Sequence, residues 1–483
     1  MASGRPDATV GLPYRAAYLE TKPLKLGTEH FPLPCSLREL VLKRYAPPQT
    51  VADKEPSMPL EELLRYLKNI DNFNLTPLEA VLLQTEANGD PALPTTQQTA
   101  ILQWLGTALH NWQQRFPLEE PLASQLHPLQ SLAAVLAVTD PAFLTPGAHP
   151  LHRLLDTLQA CAIGWQSRLG RAGKATQQQV AKTVDNALAW FDDTDTDLAA
   201  ICGELAAVTE RDQARAARMA QRAVETELGR IKIADAKQQA ARMINTALEK
   251  FQATDAIGDF LKGPWYASAQ LVVLKFGTDS TLWEKMAVTT DTLLDSLQAP
   301  EEPAENRRQY IFEVVTQLPK DIRRWLLSLQ HDNEAVEDAV GLIEFTHLQI
   351  LRNQPLELEQ IATIAVNSEE VAVPDRDHFD ALERVEVGQW WRVDLGDEEA
   401  LRAQLVLKME REQQLLFTNQ AGIKVLQQSY RDFADLLVQQ KVIALHSGAS
   451  FSASLASAAG IDSTEQLEIL AGAAAPVLRQ PPV

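Results

Sequence analysis

The sequence predicts a mainly α protein: a long helical body with one very long central helix, followed by a small antiparallel β-barrel domain. Three observations predict it. From Pro59 to about residue 365, apolar residues recur three and four apart, which is the spacing of one helix face. From about Asp197 to Phe251 there is no proline, and the only glycines are Gly203 and Gly229. After about residue 380 the period drops from 3.6 to 2, as in strands.

Residues 1–58 are rich in proline and turn formers and read as a loop-rich arm with one short helix in SLRELVLKRY. The body, 59–366, opens with PLEELLRYLKNI, TPLEAVLLQTEA and TTQQTAILQWLGTALHNW, each begun by Pro or Thr, residues suited to a helix start. HPLHRLLDTLQACAIGWQSRL repeats the pattern. The long stretch that follows is built of Ala, Gln, Glu, Arg and Lys, all strong helix formers. Ile201, Leu205, Val208, Met219, Val224, Leu228 and Ile231 make a thin apolar stripe along it. Such a stripe needs cover from this chain or another, and Gly229 marks a candidate break. Residues 367–380 read as a linker and 381–446 as the β domain, with strands in VGQWWRVDL, LRAQLVLKM, QLLFTNQ and KVIALH and a helix in SYRDFADLLVQQ. Residues 447–483 are rich in small residues and read as a tail, ordered only in STEQLEILAG.

Composition sets limits on function. The 483 residues carry a formal charge of −20, and nucleic acid needs a basic footprint, so no DNA or RNA partner is expected. Three widely spaced cysteines, Cys35, Cys161 and Cys202, fit buried thiols in a reducing compartment. The start lacks a signal-peptide pattern and no stretch reads as a membrane span, so a cytoplasmic protein is expected. No nucleophile elbow, Walker A loop, dinucleotide fingerprint or H-E-x-x-H occurs, so no enzyme class is expected. His149, His152 and Asp156 fall at i, i+3 and i+7, a spacing open to metal. Pro150 places His149 at a helix start, and a helix-terminal histidine pair is preferred, with no metal. Between Glu210 and Lys250 nine basic residues face six acidic ones. Arg211, Arg215, Arg218 and Arg222 are either a solvated face or a docking stripe for an acidic partner. Adjacent strand residues face opposite ways, so one of Trp390 and Trp391 fills the β domain and the other faces out. Trp391 is carried as a candidate stacking platform, against packing on the helical body.

HPLHRLLDTLQACAIGW, IGDFLKGPWYASAQLVVLKFG, LWEKMAVTTDTLLDSLQ and above all VGQWWRVDL…LLFTNQAGIKVLQQSYRDFADLL resemble a proteobacterial family of large helical proteins that end in a PilZ-like domain. The resemblance implies a small barrel, a signalling or scaffold role and cyclic di-GMP as the effector to consider. A PilZ ligand site is expected to carry R-x-x-x-R before the first strand and D/N-x-S-x-x-G after the second. Here Arg376 is followed at the fourth place by Asp380, and the turn is Asn419-Gln420-Ala421-Gly422, so both halves are degenerate. If a ligand binds, Arg384, Arg392 and Arg402 are the nearest positive groups, with Asn419 and Gly422 contributing the turn. The alternative is that Asn419 and Gly422 serve a tight turn that needs positive φ. Two functions follow: a non-enzymatic PilZ-type adaptor, or a ligand-free scaffold whose helical body pairs with a protein partner or with its own copy.

Overall fold

A computed structural model describes residues 16–18, 36–47, 57–89, 92–298, 304–328, 332–352, 354–365, 382, 385–396 and 399–461. Arg384, the 367–380 linker and the STEQLEILAG segment lie outside the described residues. The chain divides into two compact units, one of residues 1–224 and 373–483, the other of 225–372.

The first unit opens with α1 (Arg38–Tyr45), α2 (Leu60–Lys68), α3 (Pro77–Asn88), α4 (Thr96–Arg115), α5 (Glu120–Leu126), α6 (Leu129–Thr139), α7 (Pro150–Ala162) and α8 (Gly170–Leu188). The local chemistry explains the starts. Thr76 with Glu79 and Thr95 with Gln98 close reciprocal capping boxes at α3 and α4, each satisfying two orphan amide groups. Leu102, Trp104, Leu105, Leu132, Leu154 and Leu158 fill the core.

The long helix, α9 (Leu198–Lys250), is continuous over 53 residues. Gly229 has no atom within 4 Å of a would-be Cβ, so it interrupts nothing. Leu205, Ala220 and Val224 on the part within the first unit are buried. Arg211, Arg215, Arg218 and Arg222 are exposed.

The β domain is one antiparallel sheet in the order β5 (Lys424–Ser429), β4 (Gln414–Thr418), β3 (Leu401–Met409), β2 (Trp390–Val393), β6 (Val442–Leu445), with β1 (Ala16–Tyr18) on the far end of β3. Its outer strands β5 and β6 do not pair with each other, so it is an open sheet where a closed barrel was expected. Helix α15 (Tyr430–Val438) places Phe433 over the sheet core of Trp391, Val393, Leu405 and Phe417.

Residues 450–458 correct the reading of a tail after 447. They form α16 (Ser450–Ala458), whose Phe451, Leu455 and Ala456 are fully buried. Trp104 and Trp112 donate their indole N–H groups to Leu455 O and Ser450 Oγ, each at 2.9 Å. The Asp156 carboxylate accepts from the amide N–H groups of Phe451 and Ser452 and from Ser452 Oγ. Alanine and serine are what let this helix pass between bulky neighbours; small size here serves packing rather than disorder.

The second unit holds the rest of α9, α10 (Asp255–Phe260), α11 (Tyr266–Phe276), α12 (Thr281–Ser296), α13 (Ala304–Ser328) and α14 (Asn333–Leu351). Its core is Ile244, Leu248, Trp265, Leu293, Leu294, Ile322 and Ile343. Helices α13 and α14 pack as a hairpin, bridged by Arg323 and Glu337 at 2.7 Å. Phe312 and Leu348 each lie eleven residues, three helical turns, from that ion pair. Phe345 lies three residues from Leu348. Phe312, Leu348 and Phe345 are exposed at 67%, 45% and 60% respectively.

Among the described residues no helix is long and apolar enough to cross a membrane.

Candidate functional site

The Thr418–Lys424 turn joins β4 to β5. Asn419 organises it: its side-chain oxygen accepts from the amides of Ala421 and Ile423, and its carbonyl accepts from Gly422. Gly422 sits at φ 75°, where a side chain is strained. A second constraint is steric. A Cβ on Gly422 would overlap the carbonyl oxygen of Ala216 on α9. The turn is therefore seated on the backbone of the long helix. Gln420 extends the seat by donating from Nε2 to Cys161 O at 2.8 Å.

The outward face of β2 and β3 carries the rest of the contact. Trp390 lies against Gly164, where a Cβ would overlap the indole ring. Arg402 pairs across the strands with Arg392, and its guanidinium is 2% exposed. It donates from Nε to Glu119 Oε1 at 2.8 Å and from Nη1 to Pro117 O and Ile163 O at 3.0 and 2.9 Å. The Arg402 carbonyl accepts from Gln166 Nε2. Burial lowers the Arg402 pKa, and Glu119 opposes that shift.

The predicted ligand residues thus divide. Asn419 and Gly422 share the turn and line one cavity. Arg402 is engaged by the helical body, while Arg392 is exposed to solvent. Trp391 is 4% exposed and packs edge-on against Phe433, with ring centroids 5.4 Å apart. It is a core residue, and the expected platform is absent at that position because its strand parity turns it inward. Trp390, which the candidate residues omitted, is the outward member.

The cavity measures about 120 Å³ and is walled by the turn, β2, β3, α7, α8 and α9. Cys161 borders it with its thiol pushed up to about 11 by burial, which keeps it protonated and a poor nucleophile.

The His149, His152 and Asp156 trio holds structure. His149 caps α7 by accepting the Leu151 amide at Nδ1 and lies 3.4 Å from Asp140. His152 accepts the Gly147 amide. Burial lowers both histidine pKa values and raises Asp156 to about 6. Among the described residues no cluster of three or more His, Cys, Asp or Glu is placed to hold a metal.

A helical protein with a small β domain seated on its long helix is the class the geometry defines. Residues 66–194, 226–344 and 377–445 match the second domain, the third domain and the C-terminal tudor domain of the family described as Protein of unknown function (DUF1631). The chain belongs to that family. The match at 226 falls beside the 224/225 division between the two units. The family model describes the β domain as tudor, where the sequence resemblance pointed to PilZ. Searches of curated proteins and of solved structures returned no match.

Proposed function

We propose that the protein is a non-catalytic, cytoplasmic interaction scaffold, in which the helical hairpin of the second unit presents a surface to a second copy of the chain. The exposed edge of α13 and α14 carries the reading. Phe312, Phe345 and Leu348 are exposed large apolar side chains on the two helices of this hairpin. Exposed aromatic side chains grouped on one surface mark interaction sites. In this reading the two copies meet through the same patch about a two-fold axis, the commonest symmetry of soluble oligomers. Arg211, Arg215, Arg218 and Arg222 supply a second exposed stripe, suited to an acidic protein partner.

Sedimentation equilibrium of the full chain tests this. A dimer that falls to monomer in the Phe312→Ser/Phe345→Ser variant, with unchanged helicity, supports it. A monomer at all concentrations sinks self-association through this edge.

The second reading is an adaptor of PilZ type responsive to cyclic di-GMP. Asn419 and Gly422 on one cavity favour it. Arg402, spent on Glu119 and two backbone carbonyls, opposes it. So does the cavity volume, which is small beside the roughly 300–1,000 Å³ of drug-sized sites. A calorimetric titration of cyclic di-GMP distinguishes the two: saturable heat lost in Arg392→Ala favours the adaptor, and no heat from folded protein excludes it.

A further inference from the structure

Four arginines stand in one line on the long helix. Arg211, Arg215, Arg218 and Arg222 follow one another by four, three and four residues, and all are exposed. At about 100° per residue they fall within about 60° of the helix circumference, and at about 1.5 Å per residue they span about 16 Å. Thr209 and Ala220, on the opposite side of the same helix, are buried, so the line faces away from the core of the first unit. A solvated helix face is ordinarily supported by opposite charges three and four residues apart. Here those neighbours are arginines themselves: Arg211 with Arg215, Arg215 with Arg218, Arg218 with Arg222. Like charges at that spacing destabilise a helix. Among the described residues Arg215 and Arg218 enter no ion pair. The Arg211 side chain donates to the Ala207 carbonyl of its own helix at 2.9 Å. The chain has a net charge of −20, yet the one carboxylate between 211 and 222 is Asp212, about 90° round the helix from the middle of the line. Exposed Ala207 and Ala214 run beside it, and small side chains let a second helix axis come close.

We propose that this line is the docking site for an acidic α-helix of a partner protein, one that repeats carboxylates at the same four-three-four spacing. Two helices with matched spacings keep register along the line, and each guanidinium can fork to one carboxylate. An extended acidic strand sets same-side residues about 6.6 Å apart, which outruns arginines with a mean rise of about 5.5 Å. A second copy does not fit through this face, since a two-fold axis on the line sets arginine against arginine. A polyanion longer than the line would run on to a protein of net negative charge, which repels it. The proposal deepens the acidic-partner part of the scaffold reading and rests on it, without depending on the contact through α13 and α14.

The probe is a synthetic alanine-rich helical peptide with four glutamates at i, i+4, i+7 and i+11, added to the full-length protein at low salt and read by saturation-transfer NMR on the peptide. A second peptide of the same composition spreads its glutamates round the helix, and circular dichroism matches the two for helicity. Saturable binding of the first is expected, about fivefold tighter than the second, the scale of one exposed ion pair. It should weaken as salt rises, because exposed charges are screened. Arg215→Glu/Arg218→Glu should weaken it at least about tenfold, as two attractions become repulsions. The same change relieves the like-charge pairs, so the melting temperature should not fall. Arg171→Glu/Lys174→Glu, an equal change of charge at exposed sites on α8, should leave binding within about twofold. No saturable binding, equal binding of both peptides, or an equal loss in the α8 variant overturns the proposal. So does tighter binding of single-stranded DNA or of phosphatidylserine vesicles, which would make the line a polyanion site. A monomer that binds the matched peptide would fail the two-fold contact of α13 and α14 and keep this one; a dimer that does not bind it would do the reverse.

Discussion

The outward face of the β2–β3 strands and the outward edge of the α13–α14 hairpin look alike as sequence. Both mix large apolar rings with arginine, glutamine or glutamate. In the fold they have opposite fates. Trp390 and Arg402 are covered by α7 and the loops around it, and the adjoining turn sits on α9. Phe312 and Phe345 stay more than half exposed. Composition does not separate a covered face from a presented one; a facing glycine does. Gly164 and Gly422 make room for the contact.

The largest expected effect follows from that room. Gly422→Ala adds a methyl into the α9 backbone at a positive φ, and should cost on the order of 4 kcal/mol or release the turn. A fall in the denaturant midpoint checks it. Next is Arg402→Ala, which strands Glu119 and two carbonyls and should cost about 3 kcal/mol. Arg402→Lys should recover little, because a lysine cannot fork to three acceptors. Both changes strike the covered face. On the presented edge, Phe312→Ser should alter stability by less than about 0.5 kcal/mol, so a large loss there would mean that the edge is covered after all.

One buried group in each unit should respond to acid with opposite sign. In the second unit His347 accepts or donates at Ser296 Oγ, 2.9 Å away, and burial lowers its pKa to about 4. A depressed histidine favours folding above its unfolded pKa. That stability is lost as pH falls from about 6.5 to 4, by roughly 3 kcal/mol. In the first unit, Asp156 raised to about 6 acts the other way. Its folded form holds the proton more tightly, so its favourable share is complete below the unfolded pKa and is lost as pH rises through 6. Chemical denaturation at pH 4 and pH 7 should show a flatter profile for His347→Gln in the second unit. Asp156→Asn should shift the first unit with opposite sign.

Much of the fold was legible because periodicity is local. The long helix, the helical body and the strands at 390, 401, 414 and 442 all follow from spacing between near neighbours. Three features were not legible. The SGASFSASLASA stretch looked like a tail because it is rich in small residues; their value as a close-packing surface depends on Trp104, Trp112 and Asp156, roughly three hundred residues away. The arginines were grouped by nearness in sequence to TNQAG. Strand parity and a distant Glu119 decided that Arg402 faces the helical body. In the turn, Gly422 was readable as a residue for positive φ. That α9 fills the space above it was not, since no local pattern encodes a contact between residues 216 and 422.

The central claim is that the turn at Asn419–Gly422 holds the β domain on the long helix. Hydrogen exchange measures it directly, comparing wild type with Gly422→Ala over residues 208–224 and 418–424. The account predicts slow exchange in both segments of the wild type and faster exchange in both in the variant, while β3 and β4 stay protected. Equal exchange in the two proteins would contradict it and make the turn a plain hairpin corner.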